Sequence, residues 1–270
     1  FQLNYLAGAN PYKDYDCPLY EFKPNRKVYA HQVELASHML TRRCCIIAGE
    51  MGCGKTLAAI EALEAIQPES VLWVGPNSAL YSVELEFRKW GCSIMPDFLS
   101  YSRLAKLVEM WPSGKRAYQV IIFDESSRLK TITAQRTQAA AHLASGTRNE
   151  WLTDGYVVLM TGTPAPKSPL DWYSQAEIAC PGFLKEGDVH KFKERLAIVQ
   201  NKESPAGGVY KELLSWRSDE NLCEVCGKHK DHDDHNSVHM IEHWYHGFKP
   251  SVNEVQKLYK RLAGLTIVKF

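Results

Sequence analysis

The sequence has no apolar run long enough to span a bilayer, which excludes a helical membrane anchor within it and makes a membrane partner unexpected. It opens Phe1-Gln2-Leu3-Asn4-Tyr5, without the basic start and apolar stretch of a signal peptide. The absent initiator Met points to a trimmed or excised chain, with the true N-terminus expected elsewhere. Charge of one sign is also lacking. With 32 basic and 31 acidic residues the net charge is +1, so any surface for a polyanion must be local. No internal repeat or long low-complexity tract is present, which excludes a repeat architecture. A disulfide framework is not expected either, although the chain has eight cysteines. Cys44, Cys45, Cys92 and Cys180 sit in or beside apolar segments, and Cys53 lies inside a glycine-rich turn. Only Cys223 and Cys226 form a tight pair, which fits a reducing compartment and one metal site.

What is present is an alternation of short apolar runs with helical patterns. Residues 1–30 form a lead-in without clean periodicity, whose end is expected near the ligand site. A helix is predicted from about His31 to Thr41, then a buried strand Cys44–Ala48 and a helix Lys55–Ile66 stopped at Gln67-Pro68. Strands Val71–Val74, Asp97–Tyr101, Gln119–Phe123 and Tyr156–Met160 follow, with helices Ser78–Trp90, Ser102–Met110 and Thr133–Ala144 between them, the last closed by Ser145-Gly146. Such alternation implies an α/β protein, a doubly wound parallel sheet with both faces covered, binding ligands at the carboxyl ends of its strands. Residues 201–208 read as a linker, 221–247 are crowded with Cys, His and Asp, 251–263 return to a helical pattern, and Leu265–Phe270 reads as a last strand. The domain reading is therefore a lead-in at 1–30, a doubly wound main domain at 31–200, a Cys/His-rich insertion at 201–250, and a returning helix and strand of the main domain at 251–270.

Two motifs carry the chemistry. Gly49-Glu50-Met51-Gly52-Cys53-Gly54-Lys55-Thr56 matches G-x-x-x-x-G-K-[ST] between a strand and a helix. Its backbone N–H groups, Gly52, Cys53 and Gly54 among them, would cradle phosphates at the helix N-terminus. Lys55 would neutralise the β- and γ-phosphates and the Thr56 hydroxyl would bind magnesium. Val120-Ile121-Ile122-Phe123-Asp124-Glu125 is an apolar strand ending in two carboxylates. In a doubly wound sheet it can lie beside the strand feeding the phosphate loop. Asp124 would then hold magnesium, and Glu125 would orient and deprotonate the attacking water.

Together with two further segments these motifs resemble the superfamily-two helicases, and within them the Swi/Snf-like ATPases. Ala48–Thr56 is similar to A-D-E-M-G-x-G-K-T. Val71–Ser78, with Phe87-Arg88-Lys89-Trp90, resembles the next motif and its F-x-K-W end. Asp124–Lys130 is similar to the D-E-[AS]-H-x-[IL]-K box, and Leu159–Ala165 with Pro169–Tyr173 resembles the T-G-T-P motif and its sequel. The D-E-S and T-G-T-P-A forms lean toward the annealing-helicase-like branch and its phage and bacterial relatives. Four motifs in order cover roughly residues 28–195.

The resemblance implies a RecA-like first motor domain that binds ATP and magnesium and acts on double-stranded DNA. It places the chain in the cytoplasm of a bacterial or phage-infected cell, or in the nucleus of a eukaryote. Gln32 matches the glutamine that reads adenine. Pro76-Asn77-Ser78 and Ser100-Tyr101-Ser102 match loops that touch the nucleic-acid backbone, and Thr161 and Thr163 match residues coupling the ATP site to it. The other functions weighed are an RNA helicase and a nucleotide-gated binding module without productive hydrolysis. Ser127 departs from the family's His, which puts in doubt the usual hydrogen bond between the acidic box and the T-G-T-P loop; Tyr29-Ala30 replaces Arg-Pro. The family's arginine fingers lie in a second motor domain, C-terminal to this chain. Alone, the 270 residues are expected to be nearly inactive.

Cys223-Glu224-Val225-Cys226-Gly227-Lys228 is a C-x-x-C-G-K knuckle that would grip zinc with two thiolates. Tetrahedral zinc needs two more ligands, and His229, His232, His235, His239, His243 and His246 all follow. Similar inserts in phage relatives favour His235 and His246, with His239 the rival for the fourth place. The fold expectation thus includes a small zinc-binding insertion near the C-terminus.

Overall fold

The computed structural model describes residues 23–111, 118–148, 154–165, 167–205, 207–217, 222–223, 226, 228–229, 232, 248–249 and 254–269. The chain folds as two compact units: residues up to Lys185 together with Leu262 onward, and Glu186–Arg261.

The first unit is built on a six-stranded sheet. Its strands are β1 (Cys44–Gly49), β2 (Val71–Gly75), β3 (Asp97–Ser100), β4 (Val120–Asp124), β5 (Tyr156–Thr161) and β10 (Thr266–Lys269). Their order is β10-β1-β5-β4-β2-β3 and every pair is parallel. Parallel strands need both faces covered, and the sequence supplies apolar side chains in both alternating sets. Cys45, Ile47, Trp73, Ile122 and Met160 belong to one cluster with Leu35, Met39, Ile60, Leu63 and Phe87 from the helices Ala30–Arg42, Lys55–Ile66 and Asn77–Lys89. The intervening residues Ile46, Leu72, Ile121, Phe123 and Leu159 are equally buried. Phe87 sits edge-on to Trp73 and to Phe98, with ring centroids 5.5 and 5.9 Å apart. The doubly wound parallel sheet expected from the alternation is present.

The lead-in's end is pinned to the second half of the helix that follows the phosphate loop. Arg26 forms ion pairs with Glu61 at 2.7 Å and Glu64 at 3.1 Å on the helix Lys55–Ile66, and its Nε donates to the Trp90 carbonyl. All three side chains are largely shielded from water. Removing Arg26 would leave Glu61 held by the Asn25 N–H and Glu64 by Ser93, but without their ion-pair partner. Residues 1–22 lie outside the described residues.

The structure corrects three readings. The strand carrying Asp124 is not the neighbour of the strand feeding the phosphate loop, because β5 lies between them. The helix predicted to close at Ser145-Gly146 runs Gln135–Thr147. Thr147 is buried and its hydroxyl donates to the Tyr118 carbonyl at 2.9 Å, a tertiary bond that carries the helix past two poor helix formers. The supposed linker 201–208 is mostly a hairpin: β6 (Ala197–Glu203) pairs antiparallel with β7 (Val209–Trp216). Gly207 and Gly208 have φ of 80° and 112°, so the glycines that looked like linker chemistry are turn chemistry.

The hairpin belongs to the second unit, with the helix Val189–Leu196. That helix is capped by Asp188, whose carboxylate accepts from the N–H groups of His190 and Lys191. Glu186 accepts from Arg195 at 2.6 Å and Arg261 at 2.9 Å, and Arg195 also bonds Glu254 at 3.0 Å. The short strands β8 (Leu222–Cys223) and β9 (Phe248–Lys249) pair antiparallel. Among the described residues no helix is long and apolar enough to cross a membrane.

Within the first unit His38 is buried, and its ring lies 3.4 Å from the Leu265 carbonyl. Burial, with the charge of Arg42, holds its pKa down to about 4, against 6.5 for a free imidazole. A depressed histidine stabilises the fold above its unfolded pKa and loses that contribution as pH falls through the folded value. The unfolding free energy should therefore drop between pH 6.5 and 4, by up to about 3 kcal/mol from this group. Denaturant titrations of wild type and His38→Leu across that range should show a flatter profile in the variant.

Candidate functional site

Three loops meet at the carboxyl edge of the sheet. The first is the phosphate loop between β1 and the helix Lys55–Ile66. Gly52 and Gly54 take φ of 85° and 78°, which lets the chain curl before the helix starts. The Lys55 ammonium donates to the carbonyls of Gly49 at 2.8 Å and Glu50 at 2.9 Å, bridging the loop from within. Thr56 follows in the first turn of the helix. Gln32 packs against this loop: a Cβ on Gly54 would lie 1.9 Å from the Gln32 Nε2. Its Oε1 accepts from the Tyr29 N–H at 2.9 Å, which fixes the amide's orientation. His31 makes a second tie, with Nε2 2.9 Å from the Cys53 carbonyl.

The second loop carries the acidic pair. Asp124 ends β4, and Glu125 follows with φ 52° and ψ 50°. This left-handed conformation costs a non-glycine residue on the order of 1–3 kcal/mol. The Glu125 N–H donates to the Asp124 carboxylate at 3.0 Å, and the buried Tyr101 hydroxyl donates to the Asp124 carbonyl at 2.7 Å. Tyr101, grouped by sequence with backbone-contacting residues, thus turns its hydroxyl inward to brace the acidic strand end. Burial and the charge of Glu125 push the Asp124 carboxyl up to about 6, while Lys55 pulls it down. Lys55 and Asp124 therefore share one electrostatic neighbourhood. The strands that lead to them, β1 and β4, stand two positions apart in the sheet, about 10 Å at the usual inter-strand spacing.

The third loop follows β5. In register, Ala48 is level with Thr161 and Asp124 with Met160. Gly162 packs on the phosphate loop, where an added Cβ would sit 3.6 Å from the Gly49 carbonyl. The Thr161 hydroxyl accepts from the Thr163 N–H at 3.1 Å. A buried side chain joins this loop to the acidic turn: Gln175 accepts from the Ser126 hydroxyl at 2.8 Å and donates to the Pro164 carbonyl at 2.5 Å.

Beside these loops lies a groove of ≈ 410 Å³ lined by Asn77, Ser100, Ser102, Arg128, Gln135 and Arg136, among others. The helices Asn77–Lys89 and Gln135–Thr147 begin there, so their free N–H groups add to the positive potential of the two exposed arginines. Arg136 Nε donates to the Arg128 carbonyl at 2.7 Å, joining the two walls. The chemistry of this surface suits an extended anion.

No protein-family model matches the chain. Over 155 residues it is 30% identical to "SWI/SNF-related matrix-associated actin-dependent regulator of chromatin subfamily A-like protein 1" of Xenopus tropicalis. This chain is similar to Swi/Snf-related helicases over about half its length. That match covers 52% of the chain and 16% of the frog protein. The human "DNA repair and recombination protein RAD54B" is 23% identical over 240 residues, 76% of the chain and 25% of that protein. The chain thus spans a quarter or less of the length of these relatives. Among solved structures, "Sulfolobus solfataricus SWI2/SNF2 ATPase core in complex with dsDNA" superposes with a TM-score of 0.54 at 20% identity, covering 66% of this chain and 41% of that one, which shows the shared fold.

The structure brings Gln32, Gly52, Cys53, Gly54, Lys55, Thr56, Asp124 and Glu125 to one edge of the sheet. His31, Arg128, Arg136 and Gln175 were not legible as site residues in the sequence; none sits at a diagnostic spacing. In the second unit Cys223 is buried and its N–H donates to the Lys228 carbonyl at 2.8 Å, closing the knuckle's turn. Among the described residues no three His, Cys, Asp or Glu side chains gather as for a metal. His235 and His246, and the rival His239, lie outside the described residues.

Because the folded pKa of Asp124 exceeds that of an unfolded aspartate, its ionised form opposes folding above pH 6, and the penalty vanishes below about pH 4. Asp124→Asn should therefore stabilise the chain at pH 7.5 without nucleotide or metal, by up to about 3 kcal/mol, and be neutral near pH 3.5. Chemical denaturation at both pH values checks this. A variant less stable than wild type at pH 7.5 contradicts it.

Proposed function

We propose that this chain is the ATP-binding half of a DNA-dependent ATPase that translocates on or remodels double-stranded DNA. The observation that carries the reading is the convergence of Lys55, the Asp124–Glu125 pair and the Thr161–Pro164 loop on one edge, beside a groove lined by Arg128 and Arg136. In this reading residues 31–200 with 251–270 form the first motor domain and 201–250 its insertion.

The loop N–H groups and Lys55 bind the β- and γ-phosphates. Gln32 is placed against the same loop to meet the adenine, with one amide hydrogen-bonding atom already committed to Tyr29. Thr56 and Asp124 would hold a magnesium ion, which supplies charge to shield the phosphates. The donor set fits: Asp124 is a half-buried carboxylate crowded by a second one, and a nearby cation relieves both causes of its raised pKa. Glu125 accepts the proton of the attacking water. A second motor domain, C-terminal to these residues, would add the charges that stabilise the transition state, so the isolated chain turns over slowly. Asn77, Ser100, Ser102, Arg128 and Arg136 hold the phosphodiester backbone without reading sequence. With DNA as its substrate the protein would work in the cytoplasm of a bacterial or phage-infected cell, or in the nucleus of a eukaryote.

The complete protein should hydrolyse ATP faster with duplex DNA than without. Lys55→Ala should cut turnover at least about 100-fold. Arg128→Ala with Arg136→Ala should weaken DNA binding and lower its salt-dependence slope by about one to two. Turnover indifferent to any nucleic acid, or unchanged in Lys55→Ala, overturns the reading; stronger stimulation by RNA moves it to an RNA helicase.

Zinc in the insertion is a separate part of the proposal, with Cys223, Cys226, His235 and His246 as ligands. Two observations support it. The knuckle's turn is closed at Cys223, and β8 pairs Cys223 with Phe248, two positions beyond His246 in the chain. Protein purified without chelator should contain one zinc per chain by elemental analysis, and Cys223→Ser with Cys226→Ser should lose it.

A further inference from the structure

We propose that Gln175 is a positioning residue that couples the groove to the ATP site. The inference rests on the functional reading above. The Gln175 side chain is fully buried in the helix Asp171–Ala179, and both ends of its amide are engaged. Oε1 accepts from the Ser126 hydroxyl at 2.8 Å, and Nε2 donates to the carbonyls of Pro164 at 2.5 Å and Asp171 at 2.9 Å. A primary amide has two hydrogens, and both are used.

The three groups it joins belong to three different segments. Ser126 opens the 3-10 turn Ser126–Leu129. Glu125 immediately precedes that turn, and Arg128 within it lines the groove. Pro164 belongs to the loop that packs on the phosphate loop through Gly162. The same helix grips both loops again: the Ser174 hydroxyl donates to the Lys130 carbonyl at 3.0 Å, and the Asp171 carboxylate accepts from the Lys167 N–H at 2.9 Å. A shift of Arg128 on binding a backbone phosphate moves the short turn that carries Ser126. Gln175 passes that shift to Pro164, and Glu125 moves with the turn. Because every partner is buried or part-buried, a broken link leaves a polar group without water, so the loops move together rather than separately.

The test uses the complete protein with Gln175→Met, Gln175→Glu and Ser126→Ala, reading thermal stability, KM for ATP, DNA affinity, and kcat with and without duplex DNA. Methionine keeps the shape and removes every bond. Glutamate keeps an acceptor for Ser126 but sets a carboxylate against the carbonyls of Pro164 and Asp171. The expected result for Gln175→Met is a fall of about tenfold in DNA-stimulated kcat with KM for ATP and DNA affinity within about twofold. Gln175→Glu should be at least as impaired. Ser126→Ala should fall in the same direction, and the double variant Ser126→Ala/Gln175→Met should be no worse than Gln175→Met alone, as for one shared link. If Gln175→Met does not fold, Ser126→Ala, which removes only a hydroxyl, carries the same kcat comparison. Wild-type stimulation in the folded variants, losses confined to stability or KM, or additive losses in the double variant overturn the coupling role alone. Wild-type turnover that ignores DNA sinks the functional reading, and the coupling role with it.

Discussion

The parallel register of β1, β5 and β4 governs the site. Parallel hydrogen bonding fixes where each strand stops relative to its neighbours, and here Ala48, Thr161 and Met160–Asp124 reach the same edge. With both faces of these strands buried, a slip by one residue would exchange the side chains pointing at the two helical layers. The core therefore locks the edge, and the edge locks the distances among Lys55, Asp124 and Gly162. No loop chemistry could hold three segments at that spacing without it.

Electrostatics then sets the state of the edge. Two adjacent carboxylates in a partly dehydrated pocket repel, and Glu125 is further held in a left-handed conformation. These unfavourable terms persist because surrounding bonds over-determine the geometry, among them the Tyr101 hydroxyl on the Asp124 carbonyl and the Ser126 bond to Gln175. Strain and charge are concentrated where a cation and phosphates would relieve them.

Much of this was legible in the sequence, and what was not has physical causes. Local signals served well: the helix Lys55–Ile66 appears with the bounds that its glycine turn and Gln67-Pro68 stop dictate, and the all-apolar strands were plain from their runs. Pairing order is non-local, so nothing in residues 44–124 says that Tyr156–Thr161 inserts between the two motif-bearing strands. The glycines of 207–208 signal a turn or a linker equally, and only the partner strand decides. Ser127 suggested a missing connection between the acidic box and the T-G-T-P loop. The connection exists one position earlier, at Ser126, through a glutamine 49 residues away. His31, Arg128 and Arg136 likewise act through where the fold carries them.

The placement of β10 has a consequence for how the sheet is made. β1 has β5 on one side, but its other side is completed only by Thr266–Lys269, which follow the whole of Glu186–Arg261 in the chain. The pairing reaches the phosphate loop itself, where the Glu50 N–H donates to the Lys269 carbonyl at 3.2 Å. During synthesis the strand that carries the phosphate loop must therefore wait with an open edge while about 200 further residues emerge. An unpaired, apolar edge is a template for wrong partners. Nascent or truncated chains that stop short of residue 266 are the ones most exposed to self-association, however well the rest of the sheet has formed.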